Sequence, residues 1–216
     1  MHNIHFLSSC HGEIGNCNPL ELYKIIKAIN PDVIFEELDV SQYNNHYGKE
    51  GPFSTETKAI SEYIQYRNIP HIPVDTYPIE KISRSDKKYM DDTFYHEDSE
   101  YRQLLEAQYK YMYLHGYKFL NSDEYMELFS KLQNIESGIR DKTHNHELKN
   151  IYDIWIETNN NREIEIIGNI YNYCKQNIFD VGLLIMGAEH KVSLKSKLKG
   201  YINNDTKINW CYWHDI

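Results

Sequence analysis

Two histidines and several carboxylates stand out in this sequence for where they fall. His11 follows the run Ile4-His5-Phe6-Leu7-Ser8-Ser9-Cys10 and is followed at once by Gly12 and Glu13. His190 follows Val181-Gly182-Leu183-Leu184-Ile185-Met186-Gly187 across Ala188 and Glu189. Glu37 closes the apolar stretch Val33-Ile34-Phe35-Glu36, and Asp75 closes Ile69-Pro70-His71-Ile72-Pro73-Val74. In an open α/β sheet, ligands sit in the crevice beyond the carboxyl ends of the strands. A parallel sheet gathers such ends on one edge, so four strands ending in ionisable groups predict a site there. Neutral imidazole and carboxylate suit zinc, manganese or iron, or work as an acid–base pair. His11, Glu37, His190 and Asp75 are the expected metal donors. A bound ion lowers the pKa of its water, and Glu13 or Glu189 is then the candidate base; Arg162, at an expected helix start, reads on its own as a surface arginine.

Other chemistry-bearing residues are read more plainly. Adjacent residues on a strand point to opposite faces, so Cys10 and His11 do not form a nucleophile pair, and Cys10 is expected to be a small buried residue. The same argument lets only one of Glu36 and Glu37 join His11. Ser8 and Ser9 lack the GxSxG elbow of serine hydrolases. His144 and His146 fall in a polar helical region and read as a solvated face. Tyr109 and Tyr113 share a helical face, which is ordinary packing.

The elements that must position these groups follow from the pattern. Asn18-Pro19-Leu20-Glu21 opens a helix with an N-cap, proline at its first position and an acid in the first turn. Leu22, Ile25, Ile26 and Ile29 give that helix an apolar face, and Asn30-Pro31 ends it. The continuous apolar runs at 32–38 and 180–187 suit parallel strands buried on both faces. Ser41 to Ser54 reads as a polar loop and Thr55 to Arg67 as a second helix. The prolines of the 68–75 strand argue for an irregular or edge position. From Ile79 to about Asn159 charge and tyrosine dominate, with helices near Glu97–His115, Ser122–Arg140 and His146–Thr158. Gly116 and Gly138 are candidate breaks, and Asn161 is expected to cap a separate helix from Arg162 to about Gln176. A helix from Val192 and a last strand from Lys207 to Trp213 complete the order. The expected fold is one α/β domain over residues 1–216, its central, mainly parallel sheet flanked by helices, with a helical insertion at about 80–160 over the carboxyl edge.

Composition narrows the partners. The 216 residues carry 32 acidic and 23 basic side chains, a formal net charge of −9, which repels phosphate backbones and speaks against nucleic acid. Four cysteines without a CxxC pair suggest neither a zinc ribbon nor a disulfide scaffold. No apolar run approaches the ~20 residues of a membrane span, and no leader-like stretch precedes the first strand. The expectation is a soluble, cytoplasmic protein acting on a small molecule or peptide; its oligomeric state is left open.

Taken in order, these positions resemble the TraB/Tiki superfamily, which includes erythromycin-esterase-like and ChaN-like proteins. Its members open with a strand running into GxxH or a His-Gly step, which Ser8-Ser9-Cys10-His11-Gly12 resembles. Pro31-Asp32-Val33-Ile34-Phe35-Glu36-Glu37-Leu38-Asp39 is similar to the family's PDVVFVELD segment and puts its glutamate at Glu37. Arg162-Glu163-Ile164-Glu165 and Gly187-Ala188-Glu189-His190 resemble the family's arginine-led helix and its second GxxH. Where the family has Asp-Arg after the third strand, this chain has Asp75-Thr76. The resemblance covers the first eighty and last fifty residues. It implies an α/β fold and a site of paired histidines, glutamate and arginine. The activity implied is metal-assisted hydrolysis of a peptide or ester bond, with Arg162 as the candidate stabiliser of the developing oxyanion. Two alternatives go with it: a metal-free esterase-like hydrolase using His11 as base, and a ChaN-like protein holding haem through histidine or tyrosine. All these readings place His11 and His190 on one cleft with Glu37 between them, and let Arg162 reach it from a helix start.

Overall fold

The computed structural model describes residues 1–48, 51, 53–75, 82–201 and 206–213. Thr76 lies outside them. Five strands form one all-parallel sheet: β1 (His2–Ser9), β2 (Val33–Glu36), β3 (His71–Pro73), β4 (Val181–Gly187) and β5 (Ile208–Tyr212). Their order is β3-β2-β4-β1-β5. The most apolar strand, β4, is therefore the centre, as its continuous hydrophobicity requires. Its register pairs Ser9 with Gly187 on one side and Glu36 with Ile185 on the other. The proline-bearing β3 is an edge strand and only three residues long. The protein is of the α/β class.

Alternation along the strands builds two apolar layers. Ile4, Phe6, Val33, Phe35, Leu184 and Met186 face one side, against Ile166, Ile167 and Ile170. Leu7, Ile34, Leu183 and Ile185 face the other, in one cluster with Leu22, Ile26 and Ile60 of α1 (Pro19–Ile29) and α3 (Thr55–Tyr66). That second cluster continues without a break into Met90, Phe94, Tyr101 and Leu132 of the helices between β3 and β4. Those helices are α4 (Arg84–Glu97), α5 (Ser99–Leu120), α6 (Asp123–Lys142) and α7 (His146–Gln176), and α8 (Lys191–Gly200) follows β4. Among the described residues no helix is long and apolar enough to cross a membrane.

Several boundaries differ from the sequence expectation. The supposed loop after β2 contains α2 (Val40–His46), set by a capping box between Asp39 and Gln42. α4, unexpected from the sequence, starts at a similar box between Ser83 and Asp86. Gly138 does not stop α6, whereas Gly116 kinks α5 with φ 58° and ψ −138°. The most consequential difference is α7. It runs unbroken for 31 residues, capped by Asn145, so Asn161 caps nothing and Arg162 lies in mid-helix. Asparagine costs less than ~0.7 kcal/mol at a helix-interior position. Burial of Leu148, Ile151 and Tyr152 before the asparagines, and of Ile166, Ile167 and Ile170 after them, outweighs that. α7 thus bridges the helical layer and the sheet, with Arg162 and Glu163 at the crossing point.

Candidate functional site

The His11 loop is held from two sides. Asn16 donates its backbone N–H to Tyr113 O at 3.0 Å and its side-chain amide to Leu114 O at 2.7 Å, where α5 kinks. Gly116 is needed there: a Cβ on it would stand 2.5 Å from Asn16 O, in a left-handed backbone conformation. From the other side, Thr55 at the start of α3 donates N–H to His11 O at 3.2 Å. The next residue, Glu56, is buried; its Oε1 accepts from Ser9 Oγ at 2.8 Å and lies 3.2 Å from His11 Nδ1. This pairing fixes the imidazole and leaves Nε2 directed away from Glu56. The hydrogen bond to Glu56 raises the His11 pKa, although a side chain 69% exposed feels a solvent-screened partner.

Glu37, just past β2, is the hub. Its Oε2 accepts from the Gly187 backbone N–H at 2.8 Å, and its Oε1 accepts from Arg162 Nη2 at 2.7 Å with His190 Nε2 at 3.3 Å. Arg162 also grips Asp75 Oδ2, through Nε at 2.9 Å and Nη2 at 2.7 Å. Asp75 follows the edge strand, so Arg162 spans the outer half of the sheet end. One position along α7, Glu163 faces His190: its Oε1 lies 2.7 Å from Nδ1, while its Oε2 accepts from Ser193 Oγ at 2.6 Å and from Lys197. His190 is thus clamped between two carboxylates.

Electrostatics follow from that clamp. Burial opposes the Glu37 charge, but His190, Arg162 and His11 outweigh it and hold the carboxyl well below the usual range. Burial likewise opposes a charged His190, and Glu37 and Glu163 overcome it, lifting the imidazole to about 10. Both carboxylates thus favour the imidazolium form of the clamped ring.

The three principal groups meet at Gly187. A Cβ built there would stand 3.4 Å from Glu37 Oε2, 3.7 Å from His190 Cδ2 and 4.0 Å from His11 Nε2. His11 and His190, 179 positions apart, therefore flank one point. The strand carrying His190 lies between those carrying His11 and Glu37, so β4 rather than β2 is the middle strand. Arg162 reaches the cluster from mid-helix, behind Glu37 and 5% exposed, where it orders the carboxylates and is not presented to a substrate as an oxyanion donor. Glu13 is exposed and hydrogen-bonds none of these groups. Glu189 is exposed too, yet its charge acts on His11. Cys10, expected to be buried, is half-buried, with its thiol on Gly12 O at 3.3 Å. Glu36 turns to the opposite face, where it accepts from Tyr47 Oη at 2.8 Å and pairs with His71 Nε2 at 2.6 Å.

The expected metal donors are mostly engaged. Glu37 and Asp75 are held by Arg162, and both His190 nitrogens face carboxylates, so of that set His11 Nε2 is the open position. Among the described residues no three His, Cys, Asp or Glu side chains are arranged to hold a metal ion. As arranged, this donor set does not fit a divalent ion.

Compared with protein-family models, with curated proteins and with solved structures, the chain matches none.

Sequence reasoning missed Glu56 and Glu163. Glu56 lies in Ser54-Thr55-Glu56-Thr57, where an acid in the first turn reads as a dipole partner. Glu163 was the more legible, because it follows Arg162 on an otherwise apolar helix face. A cavity of about 470 Å³ adjoins the cluster, lined by α4–α7 and by Glu189, His190 and Ser193. Inside it Glu136 accepts from Tyr101 Oη at 2.8 Å, and burial pushes its carboxyl up to about 7.

Proposed function

We propose that this chain is a hydrolase acting on an ester or peptide bond by acid–base catalysis on water, in the manner of the esterase-like members of the TraB/Tiki superfamily. The observation carrying this reading is the convergence of His11 Nε2, Glu37 and His190 on Gly187. In the proposed reaction, neutral His11, oriented by Glu56, removes a proton from a water at Nε2, and that water attacks the substrate carbonyl. His190, held by Glu37 and Glu163, adds positive charge beside the oxygen as it gains charge. The proton taken by His11 then passes to the leaving group, which restores neutral His11. Glu37 holds the imidazolium in place, and Arg162 holds Glu37, so both are positioning residues.

The test is hydrolysis of a panel of p-nitrophenyl esters and aminoacyl-p-nitroanilides by protein purified without a histidine tag. Turnover is expected to survive chelation and to fall at least a hundredfold in His11→Ala, within the ~10²–10⁴ range of general acid–base catalysis. Turnover that vanishes on chelation and returns with zinc, manganese or iron would replace this reading by the metal-assisted one. Turnover equal in wild type and His11→Ala would remove both.

A further inference from the structure

The cavity beside His190 has a lining that selects its occupant. Its volume, about 470 Å³, is that of a small-molecule site, commonly ~300–1,000 Å³. Tyr101, Phe129 and Trp155 supply aromatic surface for an apolar body. Beside the amides of Gln133, Asn159 and Asn160, its polar groups include the carboxylates of Asp91, Glu136 and Glu189 and the amide oxygen of Gln108. Gln108 Oε1 is buried without a hydrogen-bond partner. The cavity's own cation, Lys87, is already committed, with Nζ 2.5 Å from Asp91 Oδ1 and 4.9 Å above the Trp155 ring. Glu163 is likewise neutralised, by His190 and Lys197. What stays unmet is a donor for Gln108 Oε1 and a counter-charge beside Glu136 and Glu189. An ammonium on an apolar stem supplies both, and an electron-rich ring face adds attraction for a cation. An anionic ligand would bring another carboxylate beside Glu136 and Glu189, with the lining's cations already committed to Asp91 and Glu163.

We infer that this cavity binds the amine-bearing, apolar part of a cationic ester or amide, with the ammonium between Glu136 and Gln108 and the scissile bond toward His190. The inference rests on the hydrolase reading for the words ester and amide; the amine site itself stands on the lining.

Isothermal titration of the full chain tests it with three probes of one shape: 4-phenylbutylamine, 4-phenylbutanol and 4-phenylbutanoate. The amine is expected to bind at least tenfold more tightly than the alcohol, and the carboxylate more weakly than either. Glu136→Gln combined with Gln108→Leu should cost the amine at least fivefold in affinity and leave the alcohol unchanged; circular dichroism melting confirms the fold. Should that variant melt early, Trp155→Phe serves instead, since it removes the best cation-facing ring and should weaken the amine selectively. Equal affinities, preference for the carboxylate, or an amine affinity untouched by these changes would overturn the inference. Binding is repeated in His11→Ala, where the amine should bind as in wild type. Amine binding without turnover of any ester would sink the hydrolase reading and keep this one. Ester turnover without amine preference would do the reverse.

Discussion

Replacing Arg162 by methionine isolates the ionic hub without needing a substrate. Methionine fills much of the aliphatic stem, so the loss is chiefly the guanidinium. Its three hydrogen bonds to Glu37 and Asp75 run from 2.7 to 2.9 Å. The Glu37 and Asp75 side chains are only 6% and 4% exposed, so water does not replace it. Removing one partner of a buried ion pair costs about 3–5 kcal/mol. Glu37 keeps the Gly187 N–H and His190, which favours the lower end, about 3 kcal/mol. For a chain of this length that is a fall in Tm of roughly 6–12 °C. Urea unfolding followed by circular dichroism at pH 7 and pH 4 measures it. The sign of the pH effect is fixed: with the guanidinium gone, Glu37 in the folded variant protonates more readily, so the deficit shrinks toward pH 4. Glu37→Gln on the Arg162→Met background should recover part of the loss. A deficit below ~1 kcal/mol, or one that grows as pH falls, would refute the claim that Arg162 neutralises buried carboxylates.

Three further outcomes follow from the same geometry. Glu56→Gln should move the alkaline-rising limb of the pH–rate profile downward by about one pH unit, since an exposed histidine–carboxylate pair is worth on the order of 1 kcal/mol; a limb that stays put means Glu56 does not set the His11 proton affinity. Gly187→Ala adds a methyl at ordinary contact distance from Glu37 and His190, so Tm should change by no more than a few degrees while turnover drops at least tenfold; unaltered kinetics would place the reacting carbonyl elsewhere. His190 has its folded pKa raised to about 10, so its contribution to stability is complete below its unfolded value of about 6.5 and is lost as pH rises toward 10. The stability difference between wild type and His190→Gln, from urea titrations, should therefore narrow across that window, and a widening difference would contradict the clamp.

Much of this arrangement could be read from the chain. The apolar runs at 32–38 and 180–187 marked buried parallel strands, and Glu37 and His190, near their ends, do meet on one sheet edge. The prolines placed β3 at an edge. What could not be read was which strand is central, because sequence order says nothing of the crossover that inserts β4 between β1 and β2. The asparagine run 159–161 misled for a related reason: local propensity disfavours helix there, and packing on both sides restores it. Glu56 was hidden because an acid in a first helical turn is unremarkable until tertiary structure brings Ser9 and His11 against it. The expected oxyanion role of Arg162 depended on a free guanidinium, and Asp75 and Glu37 occupy it.

The central claim is that His11 is the base of a cleft it shares with Glu37 and His190. Solvent deuterium isotope effects and pH profiles for the best ester substrate, in wild type and His11→Ala with chelator present, test it most directly. The account predicts a normal isotope effect of about two or more, as expected when a positioned base moves a proton in the transition state, a rising limb below pH 9, and loss of both in His11→Ala. An isotope effect and limb that persist unchanged in His11→Ala would contradict it.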